Sequence, residues 1–279
     1  MKKFFIVILI VLIILGGFLT VFLNSDYYYS KRLVAAIRDE NIALVEQIIE
    51  ERPTAINTYP SITSKWWHSA MNWRVCYPLN EACGAGNIDL IELLIENGAD
   101  VNCNDGLTPL SITYSSKADN WYNISLILIE KGASLDYTTE YSGGKSSVLR
   151  DIVKVRSGAA LPGYKPESKE EVIKAFNYAI ENINHNNVNW MRVLQHSVCN
   201  DRIEIVKLLL DEGYCNVNDT SVGMSALMFA ARDSAPEMVQ LLLDYGADKS
   251  IKSTDGKTAY DYALELDRYE IAEMLSIEK

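Results

Sequence analysis

Gly143-Gly144-Lys145-Ser146-Ser147 comes nearest to a chemical motif in this 279-residue chain. Phosphate-binding loops set a Gly-Lys-Ser/Thr behind a glycine five residues upstream, so that backbone N–H groups wrap a phosphate while the lysine offsets its charge. Here the upstream position is Thr139, no buried strand precedes it, and Gly256-Lys257-Thr258 repeats the same letters later in the chain. Both stretches therefore read as turns with glycine at the bend. The three histidines, His68, His185 and His196, have no partner at metal-ligand spacing, and His196 reads as a packed side chain of a helix core. Cys76, Cys83, Cys103, Cys199 and Cys215 form no CxxC. Cys83 and Cys199 read as small core hydrophobes within helices, and the odd count encodes no disulfide framework. Glu170 and Glu171 fit the first turn of a helix capped by Ser168, where acids complement the dipole. No Ser/His/Asp or Cys/His set emerges. The expectation is no catalytic residue, no cofactor site and no metal site.

What would have to position any functional side chain is a repeat. Gly223-Met224-Ser225-Ala226-Leu227 returns 33 positions later as Gly256-Lys257-Thr258-Ala259-Tyr260, Ala230 returns as Ala263, and Leu208-Leu209 precede Leu241-Leu242 by the same interval. A unit of this length holds a turn and two helices and cannot bury its apolar face alone, so neighbours must stack. The clearest unit runs Tyr77-Pro78-Leu79-Asn80-Glu81-Ala82, then Gly86-Asn87, Leu90-Ile91-Glu92-Leu93-Leu94 and Gly98-Ala99-Asp100-Val101-Asn102. Proline loses no hydrogen bond in a helix's first turn. The small Ala82 admits a close neighbour, residues 90, 91, 94 and 95 form an apolar stripe, and Gly98 suits a left-handed helix end.

These motifs resemble the ankyrin repeat family, in the form of a membrane-anchored, bacterial-type ankyrin repeat protein. The resemblance implies an all-α solenoid of six to seven helix-turn-helix units with short hairpin fingers, preceded by one N-terminal transmembrane helix. Units are expected at about 31–57, 73–104, 105–138, 140–186, 188–219, 221–252 and 254–279, with insertions at 59–75 and 156–168. The third inter-helix turn carries the second insertion, and its following helix is predicted over Lys169 to Asn182. The resemblance also implies that partners contact finger tips and first helices. In this sequence those positions are Trp73, Arg74, Asn104, Asp105, Ser115, Ser116, Ser221, Val222, Arg232, Asp233 and Glu265. Trp66 and Trp67 join them on the lengthened first finger, because tryptophan is enriched at binding hot spots; folding back over the edge between units is the alternative. Trp121 and Trp190 read as packing residues.

Residues 1–3 are a positive n-region ahead of Phe4 to Leu23, in which 17 of 20 residues are Phe, Ile, Leu or Val and none is charged. At about 1.5 Å per residue this run spans a bilayer core. It is longer than a signal peptide's apolar stretch and no small-x-small site follows, so the expectation is an uncleaved signal anchor. Residues 24–30 are expected as a juxtamembrane linker with Tyr27, Tyr28 and Tyr29 as an aromatic belt, and 31–279 as the repeat domain. Lys2 and Lys3 place the amino terminus in the cytoplasm and the body on the extracytoplasmic side of the membrane.

Past the anchor the chain keeps all 37 acids and all of its 26 bases except Lys2 and Lys3, a formal charge of −13. Nucleic acid is disfavoured, since its binding needs a basic stripe. The expected function is non-catalytic protein binding at a membrane. Its sharper form is an inhibitor or immunity protein whose acidic concave face suits a basic partner. The alternative is a scaffold or stabiliser of an envelope enzyme or complex, and the remote alternative is an enzyme with a cryptic site in 156–168. No small-molecule substrate is expected.

Overall fold

The computed structural model describes residues 25–58, 77–104, 107–116, 118–137, 148–155 and 169–276. Among them are fourteen α-helices and one two-stranded antiparallel pair. The apolar run Phe4 to Leu23, the insertions at 59–75 and 156–168, and Ser168 lie outside the described residues. No helix among the described residues is long and apolar enough to cross a membrane. The chain divides into two compact units, residues 1–134 and 135–279.

The first unit holds the helix pairs α1 (Asp26–Arg38) and α2 (Ile42–Glu51), α3 (Pro78–Ala85) and α4 (Ile88–Glu96), and α5 (Pro109–Ser115) and α6 (Trp121–Glu130). Pro78 and Pro109 open their helices where a missing N–H costs nothing. Asn41 and Asn87 cap α2 and α4 by accepting the Leu44 and Leu90 amides, each at 3.1 Å. Leu90, Ile91 and Leu94 are buried as the stripe requires, whereas Ile95 is half-exposed at its margin. Ala82 is fully buried, which lets α3 pack closely against α1 and α5. Trp121 is buried between Tyr114 and Tyr122, as expected of a packing residue.

The segment expected as a linker over 24–30 is helical instead from Asp26. Ser25 accepts the Tyr28 amide, Asp26 sits in the first turn and Arg38 in the last, and Ser30, Leu33, Val34 and Ile37 are buried along one face. Burial of that face against α2 and α3 selects helix over an extended linker.

The second unit holds α7 (Val148–Lys154) and α8 (Lys169–Asn182), α9 (Trp190–Cys199) and α10 (Ile203–Asp211), α11 (Ala226–Asp233) and α12 (Pro236–Asp244), and α13 (Ala259–Glu265) and α14 (Tyr269–Leu275). Helix α8 has the predicted bounds and buries Val172, Ala175, Phe176, Ala179 and Ile180. First helices pack side by side in the order α7, α9, α11, α13. Ala230 and Ala263, the pair related by the 33-residue period, are both fully buried where α11 meets α13. Trp190 stacks on Tyr214 with ring centroids 4.3 Å apart, and His185 meets both rings edge-on.

The short hairpin fingers are realised as paired strands once among the described residues, at β1 (Thr220–Ser221) and β2 (Met224–Ser225). Val222 and Gly223 form its tip, with φ of +54° and +75°. Both central residues at positive φ make a turn whose twist matches that of the strands, and that match permits the pairing. Gly223 also has no room for a Cβ, because Thr254 of the next turn lies against it and donates its amide to the Gly223 carbonyl at 3.2 Å.

Candidate functional site

The expected contact positions that the second unit brings together lie on the hairpin and on the ends of α11 and α13. Ser221 donates its hydroxyl to Gln195 Oε1 on α9 at 3.1 Å, which ties the hairpin to the neighbouring first helix. Val222, at the tip, is 75% exposed, the most exposed of the large apolar side chains among the described residues. Arg232 lies over the Phe229 ring at 5.3 Å, forks onto Asp233 with its shortest contact at 2.7 Å, and approaches the Met224 sulfur of β2 at 4.0 Å. Glu265 accepts from Lys257 at 2.8 Å, and that ammonium also sits over the Tyr262 ring.

Gln195, Met224, Lys257 and Tyr262 were not among the positions nominated from sequence. Met224 and Lys257 occupy the same place in successive repeats, 33 residues apart, so the period itself carried that signal.

The remaining expected positions divide differently. Asn104, Ser115 and Ser116 belong to the first unit, with Asn104 and Ser115 exposed and Ser116 half-buried. Ser115 donates back to the Ser111 carbonyl at 2.9 Å and Ser116 to that of Thr113 at 2.9 Å. Their hydroxyls serve the end of their own helix, as serine readily does. Trp66, Trp67, Trp73, Arg74 and Asp105 lie outside the described residues, as does Gly143 to Ser147.

Among the described residues the titratable groups do not converge on chemistry. Burial pushes the Cys83 thiol up to about 12, far from thiolate reactivity. Cys199 was expected to be core but is half-exposed at the end of α9. Burial first, then Asp233, pushes its thiol up to about 11. His196, also expected in the core, is half-exposed beside Lys154, because it lies at the margin of the buried stripe of Val193, Leu194, Ser197 and Val198. Burial, followed by Lys154, Arg150 and Arg192, pushes it down to about 4. No group of three His, Cys, Asp or Glu side chains among the described residues could hold a metal ion.

The acidity expected on the first-helix face lies elsewhere. Helices α8, α10, α12 and α14 together carry nine acidic and three basic residues, whereas α7, α9, α11 and α13 carry Arg150, Lys154, Arg192 and Arg232 against Asp151, Asp233, Asp261 and Glu265. Of the first helices in this unit, α9 and α11 are flanked on both sides by other first helices, which leaves those two little surface for charge. The second helices have the solvated faces, and the acids accumulate there.

The protein-family model described as "Ankyrin repeats (3 copies)" matches residues 33–139, 166–253 and 223–279. Among curated proteins, the BTB/POZ domain and ankyrin repeat-containing protein NOOT2 of Medicago truncatula is 38% identical over 77 residues, covering 27% of this chain and 16% of that protein. The NAD-capped RNA hydrolase NUDT12 of Homo sapiens is 40% identical over 79 residues, covering 27% of this chain and 17% of that protein. The chain thus spans less than a fifth of the length of these relatives. Among solved structures, the human ASB11 ankyrin repeat domain aligns over 88% of this chain and 98% of that one, with a TM-score of 0.58 and 22% identity. That likeness establishes the fold alone.

Proposed function

This chain belongs to the ankyrin repeat family, and on that premise we propose that it is a non-catalytic protein-binding module whose contact surface is the 220–225 hairpin with the ends of α11 and α13. Val222 carries the reading. A β-branched residue in left-handed backbone costs free energy, and a large exposed apolar side chain gains nothing from the fold beneath it. Such a combination is retained where a partner covers the side chain. Arg232, which reaches the Met224 sulfur of the same hairpin, is of a residue type common at hot spots.

The finer reading is that Phe4 to Leu23 anchors the module in a membrane, with the amino terminus cytoplasmic and the repeats on the other side. There it would act as an inhibitor or immunity protein for a basic protein partner. The apolar run and the formal charge of −11 support this reading, since an acidic body steers a basic partner towards it.

The test uses the full chain in detergent, immobilised and exposed to extract of its own membrane fraction, with Val222→Asn run in parallel. One dominant basic partner, captured by the wild type and lost or weakened in the variant, is the expected result. Several unrelated proteins held equally by both forms would sink the inhibitor reading. Capture of nothing by either form would sink the binding reading.

A further inference from the structure

Two rings in the second unit fill places where the repeat itself asks for no ring. After the glycine that ends a second helix, other repeats carry alanine, at Ala99, Ala133 and Ala247, all buried, whereas Gly213 is followed by Tyr214. Helix α11 begins at Ala226, and the 33-residue period sets the equivalent start of α9 at Val193. Helix α9 begins earlier, so Trp190 lies in an added turn that Asn189 caps by accepting the Arg192 amide at 3.1 Å. The two rings are half-exposed and stack on each other with centroids 4.3 Å apart, which uses one face of each. His185 stands 5.5 and 5.4 Å from the two centroids and edge-on to both, so it lies beside the stack rather than over an outer face. Elsewhere rings take cations of the chain itself, Arg232 over Phe229 and Lys257 over Tyr262. No cation among the described residues lies over Trp190 or Tyr214.

His185 adds a directed acceptor. Its Nε2 lies 2.6 Å from the Ile180 carbonyl, which only accepts, so that nitrogen carries the proton. In the neutral ring Nδ1 is then an acceptor at an exposed position, and no group among the described residues donates to it. The charge around the rings is negative. Glu181 in the last turn of α8, and Asp211 and Glu212 at the end of α10, are all exposed, and none of the three forms an ion pair among the described residues. The bases of α9 and α10 are turned elsewhere. Lys207 meets Glu204 at 3.7 Å, and Arg192, two residues past Trp190, falls on another side of α9.

A guanidinium answers these features together. It is cationic and planar, so it stacks on an aromatic face while its N–H fork donates to a ring nitrogen or a carboxylate at the edge. An ammonium is a compact point charge that a ring face attracts but that does not stack. An anion would meet the acids, and a neutral apolar group would leave Nδ1 and the carboxylates without a partner.

We propose that the Trp190–Tyr214 stack, with His185 beside it, receives an arginine side chain of the basic protein partner. This rests on the protein-binding reading above and adds the side chain that is recognised. Trp190 opens the helix whose Gln195 holds Ser221 at the base of the contact hairpin, about 7.5 Å further along the axis, so one partner reaches both places.

The test measures fluorescence anisotropy of a labelled peptide of alternating Arg and Ser with the full chain in neutral detergent, beside a Lys/Ser peptide of equal charge. The Arg peptide should bind roughly threefold to tenfold more tightly than the Lys peptide. Tyr214→Leu keeps apolar bulk without a ring and should remove that preference, whereas Tyr214→Phe should keep most of it. His185→Phe keeps a ring, loses the acceptor, and should weaken the Arg peptide by a smaller factor. Glu237→Gln on α12 removes an acid away from the stack and should leave the preference unchanged. Trp190→Leu should act as Tyr214→Leu does. Should it fail to fold, Tyr214→Leu decides alone, at a slot that other repeats fill with alanine. Equal binding of the two peptides by the wild type overturns the proposal, as does a preference for Arg that survives Tyr214→Leu. A captured partner lost with Val222→Asn yet indifferent to Tyr214→Leu also overturns it and leaves the binding reading standing. A Tyr214-dependent preference for Arg in a protein that captures no partner fails the binding reading and leaves the stack as an arginine site.

Discussion

The side-chain amide of Asn218 brackets the left-handed turn at Gly246 in the next repeat. Its Nδ2 donates to the Gly246 carbonyl at 3.1 Å, and its Oδ1 accepts the Asp248 amide at 2.8 Å. Asn102 does the same to Gly132 and Ser134, and Asn57 to Gly98 and Asp100. One residue thus serves a carbonyl and an amide of the turn that follows its neighbour's second helix, so at these three places a repeat closes the one that follows.

Asn218→Ala should therefore cost about 1–3 kcal/mol, two hydrogen bonds and a helix end left to water. Asn218→Asp keeps the acceptor, loses the donor, and should fall between. Chemical denaturation of the three forms checks the order; an Ala variant as stable as the wild type would mean that the bracket contributes nothing.

Arg268, at the start of α14, donates to the carbonyls of Ala230, Ala231 and Ser234 at the end of α11. Arg202, 66 residues earlier and so two periods back, donates to the carbonyls of Val153 and Val155 at the end of α7. Arg268→Ala should lower stability by about 2–3 kcal/mol, the range for hydrogen bonds to a charged group. Arg268→Lys should recover less than half of that, because an ammonium cannot reach three carbonyls with a fork's geometry. Equal stability of the Lys variant and the wild type contradicts this.

The repeat, the bounds of α8 and the buried Ala230–Ala263 pair were legible because the constraint behind each is local and periodic. A stripe or a small residue recurs wherever stacking demands it. The helical start at Asp26 carried its own signals in Ser25, Asp26 and Arg38, but three consecutive tyrosines after an apolar run suggested an interface instead. Net charge was misleading for a different reason. A sum over the chain says nothing about which helix of each pair holds the acids. The closeness of His196 to Lys154 was invisible for another reason, since α7 and α9 are joined in space across the second insertion and a whole intervening helix.

His196 provides a pH-dependent handle. Its folded value of about 4 lies below its ordinary 6.5, so the folded state resists the proton more than the unfolded state does. Stability linked to the neutral ring is present above pH 6.5 and is lost as pH falls towards 4. Half-exposure tempers the effect to about 1–2 kcal/mol. Wild type should lose more stability than His196→Gln between pH 7 and pH 4.5 in urea melts, and parallel losses would remove His196 from the account.

Val222 offers a way to separate stability from binding. At φ +54° beside Gly223 it holds the first central position of a tight hairpin turn, where asparagine is favoured and a β-branched side chain is strained. Val222→Asn should stabilise the fold by about 1 kcal/mol by relieving that strain. Nothing on the fold's own surface should be lost, because the side chain is 75% exposed. The same change removes the apolar group offered to a partner, so affinity should fall while the melting temperature rises. Most interface substitutions that weaken binding leave stability alone or reduce it, and opposite signs in one variant are hard to obtain unless strain at the tip is retained for contact. Calorimetric melting and partner capture on the same preparation settle the matter. A variant that melts lower, or that melts higher and binds as before, would show that Val222 is held at the tip for some other reason.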